Sequence, residues 1–171
     1  MRFFLVPGYA FSHVTDISAA FLTRLGIKFL MLDLDNTLTP YREKQMPEEI
    51  SRWAAALRDG GITLYIVSNS KRPGRVEQFA GELGISYIKS AYKPLPRGVT
   101  RAMRNAGYSR GESALIGDQV YTDAIAANLA GARSILVRPL SIKHPALALR
   151  YALEVPFRAL CRNKMWRQNN E

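Results

Sequence analysis

Ile27-Lys28-Phe29-Leu30-Met31-Leu32 is a short apolar run that ends on Asp33-Leu34-Asp35-Asn36-Thr37. An uninterrupted apolar run of this length suits a strand buried on both faces. The same figure recurs along the chain. Residues 62–67 form a second run, followed by Ser68-Asn69-Ser70. Residues 85–88, 113–116 and 133–137 read as three more strands. Helices fill the gaps. Pro47-Glu48-Glu49 opens one, since proline suits the first helical position and acids suit the positive end of the helix dipole; Gly60-Gly61 closes it. Residues 72–83, 95–106 and 120–130 read as further helices, stopped by Gly84, Gly107 and Gly131. Short strands alternating with longer helices pair in parallel through crossovers. The expected fold is α/β: a doubly wound, Rossmann-like parallel sheet of about five strands with no cap domain.

The chain has 171 residues, of which 47% are hydrophobic, enough for one domain with a full core. A single cysteine, Cys161, excludes an internal disulfide and a four-cysteine zinc site, and fits a reducing compartment. Two histidines, His13 and His144, leave little room for histidine-based metal or triad chemistry. Lys and Arg number 24 against 14 Asp and Glu, so 24 − 14 gives a net charge of +10. That balance favours phosphate-bearing partners. No run approaches the roughly 18 apolar residues of a membrane span. Pro7-Gly8 interrupts the opening apolar stretch too early for a signal peptide, so the N-terminus reads as mature protein.

In an open parallel sheet, ligands bind beyond the carboxyl ends of the strands. Successive strands deliver Asp33 and Asp35, then Ser68, then Lys93-Pro94, then Gly117-Asp118 with Thr122-Asp123 to that one rim. Each piece alone is a common accident; the conjunction carries the signal. Asp33 and Asp35, two apart on extended backbone, face the same way. Carboxylates held close resist joint ionisation unless a cation or proton intervenes. An all-oxygen set without histidine or thiol favours a hard cation, Mg²⁺. Lys93 supplies positive charge for an anion. Together these groups suit a phosphoryl group.

The order Asp-x-Asp-x-Thr, Ser, Lys, Gly-Asp-x-x-x-x-Asp resembles the haloacid dehalogenase superfamily. The strings Leu32-Asp33-Leu34-Asp35-Asn36-Thr37-Leu38-Thr39, Val67-Ser68-Asn69, Lys93-Pro94 and Gly117-Asp118-Gln119-Val120-Tyr121-Thr122-Asp123 are similar to its small IIIA-type phosphatases, a group akin to phosphatidylglycerophosphate phosphatases. The resemblance covers residues 1–140 as a single domain, with 141–171 as a basic C-terminal segment packed on it or extending from it. It implies Asp33 as nucleophile and Asp35 as acid and base. It implies a Mg²⁺ site from Asp33, the Asp35 backbone carbonyl and Asp118, and substrate binding by Ser68, Asn69 and Lys93. Thr37 and Asn69 would support the loops, and Asp123 would orient Lys93 or a metal-bound water. Ser70 and Ala126-Ala127-Asn128 depart from the pattern without touching a chemical role.

The stretches between Thr37 and Ser68 and between Ser70 and Lys93 are each too full to hold a cap, and an open rim suits a large or surface-embedded substrate. The expectation is an enzyme that dephosphorylates phosphatidylglycerophosphate at an anionic membrane surface, cytoplasmic and peripheral to the inner face. Rivals are a phosphatase for a soluble sugar phosphate or nucleotide, and a phospho-acceptor signalling domain, which the order of the acids disfavours. Nucleic acid has only the net charge in its favour and is not expected as a partner. Residues 141–171 hold Lys143, Arg150, Arg158, Arg162, Lys164 and Arg167, with Leu149, Leu153 and Leu160 at helical spacing and Pro156 expected to kink or split the helix. This segment reads either as a basic amphipathic membrane contact or as a last helix on the sheet with a solvated basic face.

Overall fold

The computed structural model describes residues 4–143, 145–161 and 163–164. The five expected strands form at β2 (Phe29–Leu32), β3 (Thr63–Val67), β4 (Ser86–Ile88), β5 (Ser113–Gly117) and β6 (Arg133–Leu136). Two further strands, β1 (Tyr9–Ala10) and β7 (Asn163–Lys164), extend the edge. The order is β4-β3-β2-β5-β6-β1-β7, and every pairing is parallel. A two-residue strand has no periodicity to read, which is why β1 and β7 escape a sequence analysis. The same holds for α1 (Ala19–Arg24), a short helix that Ser18 caps by accepting from Phe21 N at 3.2 Å.

Alternation along each central strand divides the core. Leu30, Leu32, Leu64, Ile66, Ala114 and Ile116 enter one apolar layer. Phe29, Met31, Tyr65, Val67 and Leu115 enter the other. The helices α1, α2 (Glu48–Asp59) and α3 (Arg75–Leu83) cover the first face, and α4 (Arg97–Ala106) and α5 (Ile125–Ala130) the second. The sheet is doubly wound, and no cap domain is inserted among the described residues. The order places β2 at the centre with β3 and β5 beside it, so the chain leaves adjacent strands at Asp33, Ser68 and Asp118.

Residues 120–130, expected as one helix, divide in two. A turn of π-helix at Val120–Ala124 precedes α5. The wider turn brings Asp123 back beneath β5, where Gly117 has no side chain to obstruct it.

The C-terminal segment differs more. The helix α6 (Pro145–Leu160) continues through Pro156 without splitting. Pro156 and Ala152 both lie on the exposed side, where water can satisfy the carbonyl that proline leaves without a donor. The three charged residues of α6 are Arg150, Glu154 and Arg158, and the last two are buried. Arg158 is therefore no part of a basic outer face. Its guanidinium donates to the carbonyls of Asp118 and Val137 and to Glu154 Oε2. Glu154 Oε1 accepts from Tyr121 N at 3.1 Å. The outward side instead carries Leu149, Leu153 and Leu160, each more than half exposed at 65%, 56% and 60%. Of the remaining expected basic residues, Arg162 and Arg167 lie outside the described residues.

Leu30 is fully buried in β2. Leu30→Ala should lower stability by about 2–5 kcal/mol, measured by urea unfolding, because the central strand cannot collapse onto the cavity.

Candidate active site

Lys93 lies after β4 with its ammonium buried. Its Nζ is 2.5 Å from Asp33 Oδ1 and 2.7 Å from Asp123 Oδ1. The Asn69 side chain fixes this lysine's backbone from the loop after β3: its amide nitrogen donates to Lys93 O at 2.8 Å, and Lys93 N donates to its oxygen at 3.0 Å. Asp33 N donates to Ile116 O at 2.9 Å, continuing the β2–β5 ladder to the carboxylate. The Thr37 hydroxyl lies between Asp33 Oδ2, at 3.2 Å, and Asp118 Oδ1, at 3.3 Å. Asp123 Oδ2 accepts from Gln119 N at 3.1 Å. A Cβ on Gly117 would come within 2.2 Å of the Asp123 carboxyl carbon, so glycine is what admits this acid. The Ser68 hydroxyl, also buried, accepts from Ser70 N at 3.0 Å.

Asp33, Asp118 and Asp123 each bring a carboxylate oxygen within 4.8 Å of the others. Burial pushes Asp33 up to about 7; Lys93 opposes the shift and Asp123 adds to it. Burial, with Asp123 and Asp33 adding to it, holds Asp118 well above the usual carboxylate range. Burial alone would lower Lys93, but Asp123 and Asp33 outweigh it and hold the ammonium above the ordinary lysine range. Three buried carboxylates thus face the Lys93 ammonium, with the buried Arg158 guanidinium also opposing the shift at Asp118. The excess negative charge and the all-oxygen donor set fit a hard divalent cation.

Asp35 is turned to a different partner. Its Oδ1 accepts from Arg75 Nε at 2.7 Å. Arg75 is buried, lies 4.6 Å over the Phe79 ring, and also donates to the carbonyls of Pro40 and Glu43. Asp35 Oδ2 has no hydrogen bond among the described residues.

Asp33, Asp35, Ser68, Asn69, Lys93 and Asp123 line one cleft of about 380 Å³; Thr37 and Asp118 are buried outside its lining and are joined to Asp33 through the Thr37 hydroxyl. The structure therefore assembles all the residues singled out from the sequence. It adds Tyr41, Gln119, Leu147 and Arg150 to the lining, with Arg150 donating to the Gln119 side-chain oxygen. Arg75 had a readable signal: it shares the helical face of Val76, Phe79 and Leu83, and an arginine on an apolar face needs a buried partner. Tyr41 and Arg150 had none, because only tertiary packing brings them to the rim.

A family model described as haloacid dehalogenase-like hydrolase matches residues 42–131. The chain belongs to this family. A protein of Bacillus subtilis (strain 168) named probable phosphatase YqeG is 31% identical over 141 residues, covering 82% of this chain and 81% of that protein. A chloroplastic/mitochondrial phosphatidylglycerophosphate phosphatase 1 of Arabidopsis thaliana is 27% identical over 152 residues, covering 82% of this chain but only 42% of the plant protein. Among solved structures, the cobalt-bound deoxy-D-mannose-octulosonate 8-phosphate phosphatase of Haemophilus influenzae superposes with a TM-score of 0.55 at 19% identity, over 66% of this chain and 69% of that one. At that identity it shows the shared fold. As a hydrolase of this family, the chain places its acids at the strand ends where the fold gathers ligands.

The raised Asp33 and Asp118 give a signed pH dependence. A carboxyl whose folded pKa exceeds its unfolded value contributes stability in full below about pH 4. For Asp33 that contribution is lost as pH rises to about 7, and Asp118 acts in the same direction. The metal-free protein should lose stability across this window. Mg²⁺ should raise Tm by several degrees at pH 8 and by much less at pH 5, measured by calorimetry. Equal increments at the two pH values would contradict the carboxylate cluster as the cation site.

Proposed function

We propose that the chain is a Mg²⁺-dependent phosphomonoester hydrolase that works through an aspartyl phosphate on Asp33, and that its substrate is phosphatidylglycerophosphate. Asp33, Asp118 and the Asp35 backbone carbonyl would hold the cation, which when bound supplies positive charge against the phosphoryl oxygens.

The chain's own groups carry the steps. Lys93 opposes the burial that favours the protonated form of Asp33 and, with Ser68, holds the phosphoryl oxygens. An Asp33 oxygen attacks phosphorus, and the bond from phosphorus to the leaving alkoxide breaks in line. Asp35 gives that alkoxide its proton. Asp35 then takes a proton from water, whose oxygen attacks phosphorus and releases Asp33 and inorganic phosphate. Arg75 orients Asp35 through one oxygen, which leaves the other for the leaving group and the water. Asn69 contributes through the Lys93 backbone and Asp123 through the Lys93 ammonium.

The observation that carries the lipid reading is the inverted polarity of α6. All three of its charges point to the domain or its rim, while Leu149, Leu153, Val155 and Leu160 are exposed. A helix with apolar residues outward loses the benefit of burial in water and regains it against acyl chains. Leu147 and Arg150 of this same helix line the catalytic cleft, so a bilayer under α6 would present headgroups at the mouth. The +10 charge favours an anionic surface. The name of the Arabidopsis relative points to the same substrate.

Phosphate release should be followed with Mg²⁺ across phosphatidylglycerophosphate in mixed micelles, sugar phosphates and nucleotides. Phosphatidylglycerophosphate should be the preferred substrate, and Asp33→Asn should lower its turnover by about a thousandfold or more. Leu149→Glu with Leu153→Glu should weaken sedimentation with anionic liposomes by about tenfold or more, since each leucine buried in an apolar phase is worth about 2 kcal/mol. A preference for a lipid-free ester, or unchanged liposome binding, would contradict the reading.

A further inference from the structure

Beside the catalytic cleft lies a second cavity of about 820 Å³ between the loop at Pro40–Arg42 and the segment that leads into α6. The two spaces share Asn36, Tyr41 and Leu147 as walls, so they form one continuous depression. Arg42, Arg72 and Lys143 line the second cavity, and no carboxylate does among the described residues. None of the three forms an ion pair with a carboxylate among the described residues. Pro40, Pro145 and Leu147 supply apolar wall between the cations.

The walls are built rather than incidental. Asn36, with a left-handed backbone at φ 68°, donates from its side chain to Ser141 O at 2.6 Å and accepts from Ser141 N at 3.0 Å. Its carbonyl also accepts from Leu140 N at 3.0 Å. One wall is thereby fastened to the loop that carries Asp33. On the other side Arg72 stacks 4.0 Å over the Tyr41 ring and donates to Tyr41 O at 2.5 Å. The three cations are exposed and face one concave space without a carboxylate among its described lining, so the space carries a positive potential that favours an anion.

We propose that this cavity is a second anion subsite that takes a phosphodiester in the alcohol portion of the substrate while the reacting phosphomonoester lies at Asp33 and Lys93. The inference rests on the phosphatase reading above and adds a specificity element to it. A simple monoester fills only the catalytic cleft. A substrate with a second phosphate fills both, and the apolar wall takes the glycerol carbons between them. The subsite reads charge, so it operates on a headgroup without acyl chains as well as on the intact lipid.

Three substrates separate these cases in full-length protein with Mg²⁺: p-nitrophenyl phosphate, which has no second anion; deacylated phosphatidylglycerophosphate, which has the diester but no acyl chains; and the intact lipid in mixed micelles. The readout is the ratio of kcat/KM for the deacylated diester to kcat/KM for p-nitrophenyl phosphate. Arg42 and Lys143 are both exposed, and the Arg42→Ala, Lys143→Ala double variant should lower that ratio by about tenfold, chiefly through KM. Arg42→Lys with Lys143→Arg should restore most of it. A ratio within twofold of wild type in the alanine variant would overturn the subsite, even with full activity on the lipid. Wild-type protein that hydrolyses p-nitrophenyl phosphate but neither diester-bearing compound would overturn the substrate reading itself. An effect confined to the intact lipid would also overturn the subsite, since it would place these cations at the bilayer rather than on the headgroup.

Discussion

The Lys93 ammonium is the charge on which the site depends. It is buried beside Asp33 and Asp123, with Asp118 in the same cluster, and it cannot offset all three carboxylates. Burying like charges in a low-dielectric interior is tolerated only when opposite charge or protons arrive. Much of the surrounding structure serves that arrangement. Asn69 clamps the lysine backbone, Gly117 admits Asp123 close to β5, and Thr37 bridges Asp33 and Asp118. The residual negative charge can be relieved by protons on the raised Asp33 and Asp118 or by a divalent cation among the three acids.

Helix α6 ties this centre to the protein surface. Arg158 grips the carbonyl of Asp118, and Glu154 accepts from the Tyr121 amide one turn further on. The helix therefore supports the loop that carries an acid of the cluster, while its opposite side is apolar and exposed. Deleting it would disturb the acids as well as any membrane contact, which is why surface substitutions on its outer side are the cleaner probe. The cleft and the cation-lined cavity both open beside it.

Most of this architecture was legible in the sequence. The central strands are long enough for an apolar run to show, and the reactive residues follow them directly, so the parallel order fixes where they meet. Residues placed by tertiary contact were not legible. Tyr41 reaches the rim from the far part of the loop after β2, and Arg150 from α6. Arg158 shows the harder case: helical spacing separates it correctly from Leu149, Leu153 and Leu160, but spacing cannot say which side faces the protein. Charges are ordinarily outward, and here the backbone carbonyls of Asp118 and Val137 draw an arginine inward. Pro156 misleads for a related reason, since a proline on the exposed side leaves its orphan carbonyl to water.

The central claim is that Asp33 receives the phosphoryl group. Acid quench during steady-state turnover, followed by borohydride reduction and peptide mass mapping, reads that event directly, because an acyl phosphate is reduced to an alcohol and a free carboxylate is not. The account predicts conversion of Asp33 to homoserine in the presence of substrate and Mg²⁺, and none without substrate. Reduction at another residue, or none at Asp33 during active turnover, would contradict it.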